Sequence, residues 1–256
     1  MNNKKDIVLF VNDSYFSYLL SKELIESNYN NISLIIFSKS TTNSLSKIWK
    51  IFKKVPKNYF FYRLFVQILS KTIYNKKSVQ HLADKYNIPK CNVINNIELK
   101  NVLKGNTYIG FAFNFDMIFK ENTLSSFKNG IYNIHASKLP MDKGISPVLW
   151  AFARGDQHVW STIYKMDEGL DSGPILKQIQ IFVSPNDTSF SLYKRVCIES
   201  GLALNFSLDN IKNNQIKLFN QNSEVESNYF SWPDKEFELM MKKSNRKFIR
   251  IKDLLN

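Results

Sequence analysis

A short, unbroken apolar run, Ile7, Val8, Leu9, Phe10 and Val11, ends in Asn12, Asp13 and Ser14, three residue types that cap helices. Phe16, Leu19, Leu20 and Leu24 then recur at helical spacing, and a second apolar run covers residues 32–37. Runs of this length, rich in β-branched residues and without polar alternation, are the pattern of strands buried on both faces of a parallel sheet. Strand, helix and strand within about 35 residues make a βαβ unit. That unit argues against helical bundles and all-β sandwiches. It predicts an α/β fold: a Rossmann-like open, mostly parallel sheet with helices on both faces, plus a small C-terminal appendage. No G-x-G-x-x-G follows the first strand, so neither NAD nor FAD is expected.

Further strands are predicted at 108–113, 159–165 and 175–183, and helices at 15–26, 78–86, 147–154 and 189–213. Residues 93–94 read as strand or loop. Beyond them, 215–219 reads as a strand, and a helix is expected from about residue 234. The organisation that follows is a catalytic domain over 1–206 and a small α+β extension over 207–256. A basic and aromatic helical insertion is expected at about 38–77.

Two cysteines, Cys91 and Cys197, and three histidines, His81, His135 and His158, show no metal-ligand spacing, so no metal is expected and the thiols read as reduced. With no apolar leader at the start of the sequence, a cytoplasmic location is expected. The net charge is +13. Residues 38–83 hold no Asp or Glu, yet they carry Lys47, Lys50, Lys53, Lys54 and Arg63 among other cations, interleaved with Trp49, Phe52, Phe60, Phe61 and Phe65. The spacing suits amphipathic helices broken near Pro56. Three readings stay open for this stretch: a solvated helical excursion, a wall for a phosphorylated acceptor, or a surface for a membrane or partner. No nucleic-acid-binding signature accompanies the charge.

The chemistry concentrates between residues 130 and 174. Asn133 and His135 stand two apart after a short apolar segment, which puts both on one face of an extended strand. Pro140 and Gly144 break the chain beyond them. Asp171 follows in a turn flanked by Gly169 and Gly173. A carboxamide, an imidazole and a carboxylate are the parts needed to hold an oxyanion and move a proton. Ser137 has no second histidine near it in sequence and is not read as a nucleophile. His158, at a strand start, reads as a surface residue.

The run Asn133, His135, Ser137, Leu139, Pro140, Gly144 and Pro147, followed by Gly155 and Asp156 and by the segment from Met166 to Leu176, resembles the folate-dependent formyltransferase family. That family includes methionyl-tRNA formyltransferase, glycinamide ribonucleotide formyltransferase and the sugar N-formyltransferases. The resemblance covers about residues 105 to 182. It implies Asn133, His135 and Asp171 as catalytic residues. It implies Phe115, Asp116, Met117 and Ile118, with Asp167, Glu168 and Gly169, as the segments that hold the folate. The loop at 113–119 departs from the family: Phe113 and Asn114 replace a tyrosine-glycine pair, and Phe119 replaces a proline.

The activity implied is formyl transfer from N10-formyltetrahydrofolate to a primary amine. The short C-terminal piece fits a nucleotide-linked amino sugar of surface-glycan biosynthesis as acceptor. Lys138, Lys143 and the lysines at 47, 50, 53 and 54 are candidates for its phosphates. Methionyl-tRNA formylation, hydrolysis of formyltetrahydrofolate and a non-catalytic module at a membrane or partner surface are the alternatives. A homodimer and peripheral membrane contact are left open.

Overall fold

The computed structural model describes residues 6–39, 45–103, 108–222 and 224–254, apart from the side chains of 45–48, so Lys47 lies outside the described side chains. The βαβ unit forms as expected from β1 (Ile7–Val11), α1 (Tyr15–Asn28) and β2 (Ile32–Ser38). Ser14 caps α1 by accepting the Ser17 amide at 3.2 Å. The basic stretch folds into α2 (Leu45–Lys54) and α3 (Lys57–Lys71), which part at Pro56. Then come α4 (Val79–Lys85), β3 (Lys90–Val93), α5 (Asn96–Val102), β4 (Ile109–Phe113), α6 (Glu121–Leu124) and β5 (Ile131–His135). The second half holds β6 (Lys143–Gly144), α7 (Pro147–Arg154), β7 (His158–Lys165), β8 (Ile175–Phe182) and α8 (Ser189–Lys212), then β9 (Tyr229–Phe230) and α9 (Lys235–Lys243).

The seven-stranded sheet has the order β3-β2-β1-β4-β5-β7-β8. β3 through β5 pair in parallel, whereas β7 runs antiparallel to β5 and β8 antiparallel to β7. The reversal of order at β1 and β4 is the topological switch point at which open α/β sheets present a crevice. Side chains of β1 and β4 divide between two apolar clusters, one per face. Ile7, Leu9, Phe111 and Phe113 join α1, α7 and α8 on one face, and Val8, Phe10 and Ala112 join Phe119, Phe127 and Ile131 on the other. α8 packs on α1 at Gly201, where a Cβ would collide with the Leu20 carbonyl.

The C-terminal segment is tied to the main body. β9 pairs with β6, and Phe237 and Met241 of α9 lie in the larger cluster. Residue 206 falls inside α8. The chain after α9 returns to the start of α8: the amides of Ser189 and Phe190 donate to the carbonyls of Lys247 and Phe248 at 2.9 and 3.0 Å. Thr188 Oγ1 donates to Asp253 Oδ2 at 2.7 Å, and the Arg250 amide donates to the same oxygen at 2.7 Å.

The strand expected at 215–219 does not form. Ile216 and Leu218 do turn toward the core, so the alternation is real. Only Phe219 meets another strand, in a single antiparallel bridge to Ile175 with hydrogen bonds of 2.7 and 2.9 Å. α5 is an addition that the sequence reading lacks; Asn95 caps it by accepting the amides of Ile97 and Glu98.

Candidate active site

β5 sets the site through its alternation. Ile131 points into the smaller cluster and Tyr132 into the larger, so Asn133 and His135 follow Ile131 onto the smaller cluster's face. Antiparallel pairing with β7 then puts Tyr164 directly opposite Asn133 and Thr162 opposite His135. Asn133 Nδ2 donates to the Tyr164 hydroxyl at 3.0 Å. That hydroxyl donates to Asp171 Oδ1 at 2.9 Å. The other carboxylate oxygen, Oδ2, lies 3.6 Å from His135 Nδ1. The three residues singled out by the sequence therefore come together, and Tyr164 joins them. Its signal was only half visible: 159–165 reads as a strand, but nothing in the sequence says which strand it pairs with, or in what register.

Each polar atom here has a defined task. Asn133 Oδ1 accepts the Ile134 amide at 2.9 Å, which fixes the orientation of the carboxamide. One N–H then goes to Tyr164, and among the described residues the second has no protein partner. His135 and Asp171 are each only 9% exposed. Burial pulls the His135 pKa below its ordinary value; the Asp171 charge and the Asp142 carbonyl act against it, and the charge of Lys143 adds to the lowering. The imidazole is therefore neutral at neutral pH and able to accept a proton. Its Nε2 is 3.3 Å from the Asp142 carbonyl oxygen, so both ring nitrogens face acceptors that would stabilise the protonated ring. Burial, reinforced by the Asp171 charge, pushes the Tyr164 hydroxyl far above the usual tyrosine range, and it stays a donor.

The loop that carries Asp171 is held by its own backbone. Asp171 itself has φ 51°, in the left-handed region. At Gly173 a Cβ would collide with the Lys165 carbonyl, so only glycine lets the loop lie against the end of β7. Gln221 Nε2 donates to the carbonyls of Asp171 and Gly173 at 3.0 and 2.9 Å. Asp167 closes the outer turn, its Oδ1 accepting from the Gly169 amide at 3.1 Å and from Ser172 Oγ at 2.7 Å.

The residues expected to hold folate fall on two loops that meet over the smaller cluster. Met117 and Met166 both pack on it. Phe115 turns inward, 5.4 Å from the ring of Phe10 and stacked 5.3 Å from Phe119. Asp116 accepts from Ser38 Oγ at 3.1 Å. Burial raises its carboxyl pKa, although part of the residue is exposed; the Ser38 and Asn12 hydrogen bonds and the charge of Arg63 oppose that rise. Ile118, Asp167, Glu168 and Gly169 are exposed.

Of the cations expected near an acceptor, Lys138 lies over the Trp160 ring at 4.5 Å, and Lys53 lies over Trp49 at 5.4 Å. Arg63, in contact with the Trp232 ring at 4.7 Å, is the cation of the basic stretch whose charge reaches the loop after β4.

The chain is similar to known proteins across this same region. A family model described as formyl transferase matches residues 67–204, more than half of the chain, and spans Asn133, His135, Tyr164 and Asp171. The bifunctional polymyxin resistance protein ArnA of Wigglesworthia glossinidia brevipalpis is 35% identical over 141 residues, which is 55% of this chain and 21% of that protein. The methionyl-tRNA formyltransferase of Myxococcus xanthus is 34% identical over 110 residues, 43% of this chain and 35% of the relative. The chain thus spans between a fifth and about a third of the length of these curated relatives. In fold it is similar to the crystal structure of WlaRD, a sugar 3N-formyltransferase solved with dTDP and 5-N-formyl-THF. The TM-score is 0.62 at 22% identity, over 88% of this chain and 69% of that one. The chain belongs to the formyl transferase family.

Proposed function

We propose that the chain transfers a formyl group from N10-formyltetrahydrofolate to the primary amine of a nucleotide-linked amino sugar used in surface-glycan biosynthesis. The observation that carries this is the linked set Asn133, Tyr164, Asp171 and His135, closed by contacts of 3.0, 2.9 and 3.6 Å. The folate supplies an activated formyl group. Phe115 to Ile118 and Asp167 to Gly169 are the segments that would hold it. They fit a flat heterocycle: the two loops leave large apolar side chains uncovered, Ile118 at 67% and, next to Gly169, Leu170 at 53% exposure.

The N–H of Asn133 that does not go to Tyr164 donates to the formyl oxygen as negative charge grows there. His135, neutral at rest, takes the proton that the attacking amine loses and would return it to the folate nitrogen as that nitrogen's bond to the formyl carbon breaks. The amine would replace the Asp142 carbonyl at Nε2, a contact already at the long end of hydrogen bonding. Asp171 stabilises the imidazolium through Nδ1, and Tyr164 keeps Asp171 and Asn133 in register.

The acceptor class is supported by the fold likeness to a sugar formyltransferase over 88% of the chain. A second reading, methionyl-tRNA formylation, is favoured by the sequence identity to the Myxococcus xanthus protein and by the net charge of +13. Tetrahydrofolate release should be followed with dTDP- and UDP-linked amino sugars, with methionyl-tRNA, and with no acceptor. Turnover with a nucleotide sugar supports the first reading. Turnover with methionyl-tRNA alone transfers the assignment to the second, and acceptor-independent turnover makes the protein a hydrolase. His135→Asn and Asp171→Asn should each lower kcat at least about a hundredfold. The double variant should be little worse than the weaker single, since groups acting as a unit are not additive. Near-normal turnover in either single variant rejects the assignment.

A further inference from the structure

α3 is apolar on two opposite sides. Tyr59, Tyr62 and Leu69 face inward, with Tyr62 stacked on Phe248 at 5.0 Å. On the outer side Phe61, Leu64, Phe65 and Ile68, spaced i, i+3, i+4 and i+7, are 57, 41, 39 and 49% exposed. Trp49 of α2 and Ile73 beyond α3 extend the same exposure. An apolar stripe along a helix is ordinarily packed against another element. Here nothing among the described residues covers the outer stripe. A groove of about 490 Å³ continues it from Phe61 and Phe65 to Phe237, Met241 and Phe248.

The charge around this surface is predominantly positive. Residues 38–83 contain no acid. Lys53, Lys54, Lys57 and Lys71 are exposed, and Lys242, Arg246 and Lys247 stand on the far wall of the groove. The one acid lining the groove, Glu238, is paired with Lys242 at 3.1 Å. The family match begins at residue 67, so Phe61, Leu64, Phe65 and the lysines at 53, 54 and 57 precede it.

We propose that this face docks on a membrane surface that carries anionic phospholipid headgroups. The stripe of α3 enters the boundary between headgroups and acyl chains, and the surrounding lysines meet the lipid phosphates. Apolar and cationic groups interleaved on one face match that surface in both respects. A second copy of this chain would set cations against cations in an isologous contact. A nucleic acid would neutralise the lysines but leave the aliphatic stripe without a counterpart. Among the described residues no helix is long and apolar enough to cross a membrane, so the contact is with the surface.

The test is flotation of the purified chain with vesicles of phosphatidylcholine alone and of equal parts phosphatidylcholine and phosphatidylglycerol, at low and moderate salt. The chain should float with the anionic vesicles, less so as salt rises, and remain at the bottom with the zwitterionic ones. The variant Phe61→Ser, Phe65→Ser, Ile68→Ser and the variant Lys53→Gln, Lys54→Gln, Lys57→Gln, Lys71→Gln should each bind at least about tenfold more weakly. The lysine variant touches only exposed side chains and guards against misfolding of the first. Three results would overturn the proposal: no flotation with either lipid, equal flotation with both, or a concentration-dependent dimer in vesicle-free sedimentation that the serine variant abolishes.

Discussion

Tyr164 holds two of the three sequence-expected catalytic residues with a single hydroxyl. Removing that oxygen in Tyr164→Phe strands Asp171 Oδ1 in a buried place and one N–H of the half-buried Asn133. Unpartnered buried groups cost about 1–3 kcal/mol, so urea unfolding should record a loss of that size. A merely structural tyrosine would leave kcat near normal in the folded fraction. A positioning tyrosine should lower kcat and kcat/KM together, by about tenfold or more, because the geometry it holds matters only in the transition state. The histidine gives a second prediction. Its folded pKa lies below the ordinary 6.5, with burial as the largest cause and Asp171 opposing it. A proton NMR titration should find the His135 midpoint below that value, and Asp171→Asn should move it lower still. An upward shift in the variant would mean that the carboxylate does not act on the ring. The linkage has a definite sign: as pH falls below the ordinary histidine value, the unfolded chain takes the proton first. The part of stability due to the neutral buried ring is therefore present above that pH and lost below it. Asn133 and His135 were legible as a pair because their two-residue spacing puts them on one strand face, and Asp171, far along the chain, was legible through the resemblance to the family's motif. Tyr164 was not, because its partner is set by register between strands and no local pattern encodes register.

The secondary elements divide along the same line. β1, α1, β2 and α8 could be read in advance because their signals are local: unbroken apolar runs for the two strands and apolar residues at helical spacing for the two helices. The segment 215–219 alternates like a strand yet has only one bridge, because alternation reports burial of one side and not the presence of a neighbour to bond. α5 buries only Leu99, so no apolar period marks it, whereas the equally short α4 buries Val79, Leu82 and Ala83. Packing between elements is equally hidden, and Gly201 makes the point testable. Alanine within a helix would by itself gain up to about 1 kcal/mol over glycine. Against this, its Cβ would strike the backbone carbonyl of Leu20, which cannot swing away without breaking α1. Overpacking of that kind costs about 1–3 kcal/mol, so Gly201→Ala should be destabilising on balance and lower the urea midpoint. A raised midpoint would show that α1 and α8 separate freely.

At the scale of the whole molecule, the C-terminal segment finishes a helix that begins some sixty residues before it. Asp253 accepts from Thr188 Oγ1 and from the Arg250 amide, and the preceding turn supplies carbonyls to the first amides of α8. Asp253→Ala should cost about 1–3 kcal/mol by orphaning both donors. In a chain of this size that corresponds to a fall in Tm of roughly 2–4 °C per kcal/mol, readable by calorimetry. Asn133, His135 and Asp171 lie elsewhere, so activity per folded molecule should be unchanged. The same arrangement bears on the order of synthesis. A chain made from its N-terminus can assemble the seven strands of the main sheet while the Ser189 and Phe190 amides still lack their acceptors. Only when residues 247–253 clear the ribosome do the Ser189 and Phe190 amides gain these acceptors, so the start of α8 settles after the strands it packs on.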